Sequence, residues 1–258
     1  MRQEKQRTVT VFTQINGLIT RETRYKENDK LLTIVTAERG VLTARAKGVM
    51  RMRSPLASAC QLYAYADFTL FENKGHITVN AAEPLELFWE LRNDAVKLAL
   101  AAYLADITER LAAADVGDSE LLRLTLNCFF ALSATDHPAE LVRAAFEMRA
   151  AQIGGYEPQL DACIHCGETP THPYISPVGG GICCQNCITA EDGNVFPCQP
   201  QVLPLLAYFL TAPIRKLLPS GCDVRLAEDA AYVTERYLFS QLDCDPRLLR
   251  FYKSLRSF

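Results

Sequence analysis

Four cysteines stand at spacings suited to gripping one metal ion. Cys163-Ile-His-Cys166 is followed, after seventeen intervening residues, by Cys184-Gln-Asn-Cys187. Two residues between cysteines allow a tight turn that aims both thiolates at one point, and Gly167 beside the first pair frees the backbone for that turn. Four thiolates complete a tetrahedral shell and leave no open position, so the expected ion is a single structural Zn2+ and not a catalytic one. Cys183 competes with Cys184 at the less suitable CxxxC spacing. His165 and His172 are spare donors that a complete thiolate shell does not need. A redox CxxC would not require a second copy.

The remaining chemistry is sparse. His76, His137, His165 and His172 are scattered, and no HExxH, GxSxG or P-loop is present. The basic half also lacks carboxylate clusters suited to two-metal hydrolysis, so the chain reads as no enzyme and no catalytic residue is assigned. Cys128 lies among apolar neighbours as a core thiol, and Cys60, Cys198, Cys222 and Cys244 lack partners at ligand spacing. Ten cysteines in 258 residues, without a signal-peptide pattern after Arg2, Glu4, Lys5 and Arg7, predict a cytoplasmic protein with reduced thiols. The longest uncharged stretch, Gly193–Ile214, is broken by Pro197, Pro200, Pro204 and Pro213, which argues against a membrane span.

The elements that must position these residues change along the chain. Up to about Ala82 the pattern alternates as in strands: Val9, Val11, Thr13 and Ile15; Leu32, Ile34 and Thr36; Val41, Thr43 and Arg45; Tyr63 through Phe71; and a short Ile77–Val79. Asn28-Asp29, Arg39-Gly40 and Lys74-Gly75 supply turns. Ser54 and Pro55 open a predicted short helix before the fourth run. Five strands with a helix after the third is the plan of an OB-fold, although five short strands also suit an SH3-like barrel. Beyond Pro84, Phe88, Leu91, Ala95, Leu98 and Ala102 fall on one face of a predicted long helix. Two further helices follow, one through Leu121, Leu124, Cys128 and Ala131, the other opening near Asp136 and stopping at Gly154-Gly155. Tyr174–Ser176 and Gly179–Ile182 read as a hairpin that returns the second cysteine pair. Helical character resumes in VLPLLAYFL and around Asp229–Leu242, before a basic tail at Arg250–Arg256.

Net charge conceals a division. The total is −3, yet residues 1–80 hold 13 Lys and Arg against 7 Asp and Glu, and the remainder is correspondingly acidic. A basic module fused to an acidic one predicts that the first meets a polyanion. Arg21, Arg24, Lys26, Arg39, Arg45, Lys47, Arg51 and Arg53 are the candidate DNA-binding residues. Arg45 and Lys47, two apart, are expected on one strand face. Phe12, Tyr25, Tyr63, Tyr65, Phe68 and Phe71 are interleaved and include candidates for base stacking, with Phe68 and Phe71 expected in the core.

RETRYKENDKLLTIVTAERGVLTARAKGV (Arg21–Val49), followed by Ser54-Pro-Leu, resembles the N-terminal signature of the RecO family of bacterial recombination mediators. GGYEPQLDACIHCG (Gly154–Gly167) and GGGICCQNC (Gly179–Cys187) resemble the zinc segment of that family's zinc-bearing branch. The likeness covers about residues 8–190; MRMRSPL keeps the family's basic character there but not its usual residues. It implies a multi-domain β + α protein: an N-terminal DNA-binding OB-fold barrel (1–82), an all-α helical domain in two parts (83–157 and 198–258), and an inserted zinc finger (158–197). It also implies a DNA repair and homologous recombination mediator of the RecFOR pathway that binds single- and double-stranded DNA and anneals complementary strands. Such a protein engages RecR, in some systems RecF, and single-strand-binding protein, and so helps load RecA onto coated strands near the nucleoid. It takes no membrane and no small-molecule substrate. The competing reading is a zinc-ribbon transcription or adaptor protein whose barrel binds protein.

Overall fold

The computed structural model describes residues 11–113, 116–242 and 245–256. Val9 and Cys244 lie outside the described residues. The chain divides into two compact units, one comprising residues up to Trp89 together with Ala105–Leu122, the other Glu90–Leu104 and Arg123 onward.

The first unit is built on five strands: β1 (Val11–Tyr25), β2 (Asp29–Thr36), β3 (Gly40–Ala46), β4 (Tyr65–Asn73) and β5 (His76–Glu86). They close into a barrel in the order β1-β2-β3-β5-β4. β1 pairs with both β2 and β4, and β3 pairs with β5 in parallel through Ala44↔Ile77, Arg45↔Thr78 and Ala46↔Val79. That closure belongs to the OB-fold and decides against the SH3-like alternative. Alternation places Ile15, Leu32, Ile34, Leu42, Ala44, Phe68, Leu70 and Val79 in one core.

Three local expectations change. Ser54 to Cys60 is a series of turns instead of a helix: Cys60 N–H reaches Leu56 O, but the chain serves mainly to plug the barrel with Leu56, Ala59 and Cys60. β5 extends well beyond Ile77–Val79, because after Val79 it turns outward-facing residues to both sides and the alternation fades while the pairing to β4 continues. Phe71 is not core. It shares the outer face of β4 with Asp67 and Thr69, whereas Phe68 is fully buried. At Gly40 the backbone has φ 58°, and an added Cβ would stand 1.9 Å from Ala113 O, so only glycine fits this turn.

Beyond the barrel the chain is mainly helical, and its first two helices each contribute residues to both units. α1 (Ala95–Leu111) begins later than its apolar spacing suggests, because Asp94 caps it by accepting from the N–H groups of Val96 and Lys97. Phe88 and Leu91 therefore precede the helix, Leu91 within a 3-10 turn over Trp89–Asn93. α2 (Ser119–Ala134) starts behind Asp118, whose carboxylate accepts from Glu120 and Leu121 N–H. α3 (Ala139–Ile153) is buried on every side from Glu140 to Ala151 and packs on α4 (Leu203–Thr211) and α5 (Val224–Gln241). The basic tail is ordered as α6 (Arg247–Arg256), which seats Leu249 and Tyr252. No helix among the described residues is long and apolar enough to cross a membrane.

Around α3 lies a charge network that periodicity alone does not reveal. Arg143, 4% exposed, pairs with Glu140 at 2.5 Å and with Glu147 and Glu235 at 3.0 Å. Glu147 also accepts from Tyr103 Oη at 2.9 Å and Thr234 Oγ1 at 2.6 Å. Burial pushes the Glu147 carboxyl above the usual carboxylate range, with the Arg143 charge and these two hydroxyls opposing it. Tyr252 and Arg256 of α6 both bond Glu140, tying the C-terminal helix to the same network.

Candidate metal centre and nucleic-acid cleft

The cysteine site is assembled by a small three-stranded sheet and its loops. β6 (Pro173–Ser176) and β7 (Gly181–Cys184) form the hairpin, and β8 (Phe196–Pro197) pairs on the other side of β6. Gly167, with φ 77°, closes the first knuckle by donating its N–H to Cys163 O. The sulfurs of Cys163, Cys166, Cys184 and Cys187 lie within 4.8 Å of one another. Cys184 Sγ is central, 3.7 Å from Cys163 and Cys166 and 3.1 Å from Cys187. Sulfurs around a tetrahedral ion with metal–sulfur bonds of about 2.3 Å stand roughly 3.8 Å apart, so the cluster fits such an ion. Burial disfavours the Cys163 thiolate, but the N–H groups of Cys166, Cys184 and His165 outweigh it and bring the pKa down to about 6.

Strand alternation separates the two adjacent candidates. Cys183 is fully buried with its thiol toward Tyr174 O, and burial raises its pKa to about 11. His165 is engaged elsewhere, with Nε2 3.0 Å from both carboxylate oxygens of Asp192. Asp192, 2% exposed, also accepts from Ser176 Oγ and from the N–H and hydroxyl of Thr189. Burial alone would raise its pKa, yet these donors hold it at about 2. Asp192 thus joins the hairpin, the first knuckle and the following turn. Its only signal in the sequence is a Thr189-x-x-Asp192 capping pattern.

On the barrel, two adjoining clefts of about 660 and 620 Å³ share Lys47, Phe71 and Thr78. Arg51 and Arg53 line the first and Arg45 and Lys74 the second; among the described residues no carboxylate lines either. Four of the eight candidate DNA-binding residues therefore meet in one groove: Arg45, Lys47, Arg51 and Arg53. Lys74, missed in the sequence, joins them because the β4–β5 turn brings it beside β3. Lys26 sits at the edge, its Nζ 5.5 Å from the ring of Tyr25, which lines the groove. Arg21, Arg24 and Arg39 are not in the groove; Arg21 pairs with Glu109 and Arg39 with Glu72. Lys47, Arg51 and Arg53 are exposed and carry no ion pair among the described residues.

Arg45 is placed by Asp29. Its Nε and Nη2 donate to Asp29 Oδ2 at 2.8 and 2.5 Å, Gly48 N–H donates to Oδ1 at 2.7 Å, and the guanidinium lies 5.1 Å over the Tyr25 ring. Lys47 does not continue the strand face; β3 ends at Ala46 and Lys47 opens the following turn. The Gly48 N–H, then Arg45, hold the Asp29 carboxyl below its ordinary value. A carboxylate lowered in this way stabilises the fold above its unfolded pKa, about 4, and that contribution fades as acid titrates it through the lower folded value. Asp29→Asn is accordingly expected to lower the denaturant midpoint of the barrel at pH 7, with the gap from wild type closing in progressively stronger acid. A constant gap across the titration would contradict this role.

Fold and site together define a two-unit protein, an OB-type barrel with a cationic groove joined to a helical unit bearing a four-cysteine finger. Residues 11–88 match the family model for the recombination protein O N terminal, and residues 92–247 that for the recombination protein O C terminal. The DNA repair protein RecO of Acetivibrio thermocellus is 30% identical over 246 residues, 95% of this chain and 97% of that protein. The DNA repair protein RecO of Heliobacterium modesticaldum is 34% identical over 207 residues, covering 78% of this chain and 74% of its own. That of Desulforudis audaxviator is 30% identical over 243 residues, 94% and 96% of the two chains. The chain belongs to the RecO family of DNA repair proteins.

Proposed function

We propose that this chain is a non-enzymatic mediator of recombinational repair that binds single- and double-stranded DNA through the barrel groove and anneals complementary strands. The observation that carries this is the groove itself: Arg45, Lys47, Arg51, Arg53 and Lys74 converge there and no carboxylate lines it among the described residues. A cleft of one sign concentrates field and draws in a polyanion. Acting with RecR and single-strand-binding protein, the protein helps load RecA in the cytoplasm at the nucleoid. Membership of the RecO family supports this division of labour. Arg21, Arg24, Lys26 and Arg39, outside or at the edge of the groove, contact DNA more weakly.

Cys163, Cys166, Cys184 and Cys187 hold one Zn2+ that organises the finger and takes no part in chemistry, since four thiolates close its coordination shell. The finger is anchored to α5, where Tyr237 Oη donates to Tyr156 O and Gln241 Nε2 to Pro177 O. Arg236 stacks 4.4 Å over Phe196.

Charge reversal in the groove tests the proposal. Lys47→Glu, Arg51→Glu and Arg53→Glu together are expected to cost at least about 100-fold in single-strand affinity at low salt and to abolish annealing of complementary oligonucleotides, with an unchanged melting curve. Arg45 is left alone, because reversal there would set a carboxylate against Asp29 and confound binding with folding. Unchanged affinity in the triple variant would remove the groove as the DNA site.

A further inference from the structure

We infer that Phe12 and Phe71 form a base-stacking platform that selects unstacked single strands within the groove. The inference rests on the reading of the groove as the DNA site and names what the site recognises beyond phosphate. Phe12 of β1 and Phe71 of β4 are register partners on the outer face of the barrel, with ring centroids 5.3 Å apart and planes tilted by 54°. Phe12 is 58% exposed, although the barrel core is filled by its own apolar set. An aromatic pair left outside the core, in a cleft whose Lys and Arg residues face no lining carboxylate among the described residues, offers a face of the kind on which bases stack.

The surroundings match the two ends of a nucleotide. Lys47, Arg51 and Arg53 supply charge for the phosphate, while Thr78 and Asn80 line the same cleft as the rings and offer neutral donors and acceptors to a base edge. A duplex keeps its base faces covered in the stack, so only a splayed strand can use the rings. Phosphate contacts alone would not make that distinction.

The test compares a short dT oligonucleotide with an abasic strand of the same length and phosphate count, using the full chain and fluorescence anisotropy. Wild type is expected to prefer dT by about 5- to 150-fold, the range that stacking of one base supplies. Phe12→Ala should bring that preference close to unity without changing affinity for the abasic strand or the salt dependence, and Phe12→Trp should keep it. Equal binding of both strands by wild type, with steep salt dependence intact, would overturn the platform and leave the phosphate groove standing. So would a Phe12→Ala chain that weakens both strands alike or retains the preference. Binding of neither strand would overturn the groove reading as well.

Discussion

Replacing Cys184 with alanine is expected to abolish metal binding, taking zinc from one ion per chain to none. Cys184 is a suitable position because its sulfur stands within 3.7 Å of all three others. The expected structural cost is large. A four-thiolate zinc site contributes on the order of 10 kcal/mol of apparent folding free energy to a segment that has little core of its own. The finger fits that description: its strands run for two to four residues, and loops make up most of the rest. Limited proteolysis should therefore cut Cys184→Ala within residues 158–197 while the barrel stays resistant. Cys183→Ser is the control, since the Cys183 thiol faces Tyr174 O and not the cluster; it should retain one zinc. Full metal content in Cys184→Ala, or a metal-free wild type with the finger folded and four free thiols, would contradict the site.

Arg143→Met is expected to destabilise the helical unit by about 3–5 kcal/mol, the cost of breaking a buried ion pair from one side. Glu147, 0% exposed, would be left in the interior without its counter-charge, while Glu140, 4% exposed, would keep only Arg256. Glu147 keeps Tyr103 and Thr234, which satisfy its lone pairs but carry no charge. Adding Glu147→Gln to Arg143→Met should recover part of the loss, because one buried charge then disappears. Urea unfolding followed by circular dichroism reads both. A loss below about 1 kcal/mol for Arg143→Met would place the pair among surface ion pairs and refute the network's importance.

This network also marks where reading the sequence stops. The barrel strands were legible because one face of each is buried and the other wet, which produces alternation. The metal cluster was legible because ligand spacing within each knuckle is local. α3 gives no such contrast: it is enclosed on all sides, so Glu140, Arg143 and Glu147 look like a solvated helical stripe and are in fact core. Their partners Tyr103, Thr234 and Tyr252 come from distant helices, and no local pattern records those meetings. The same holds for Lys74, which joins the groove only through the parallel pairing of β3 with β5. Conversely, the ion-pair partners of Arg21 and Arg39, Glu109 and Glu72, lie far along the chain and leave no local signal. Asp94 shows a smaller form of the same limit, since a single capping carboxylate overrode an apolar spacing that ran on through Phe88 and Leu91.

The central claim, that the barrel groove holds the phosphates of a single strand, is tested most directly by salt. Five cations line the groove, and each phosphate neutralised on a single strand contributes about −0.7 to the slope of log affinity against log salt. Wild type should therefore give a slope of about −3.5, and the triple variant at Lys47, Arg51 and Arg53 a slope no steeper than about −1.4. A wild-type slope near zero, or a variant slope equal to that of wild type, would contradict the account.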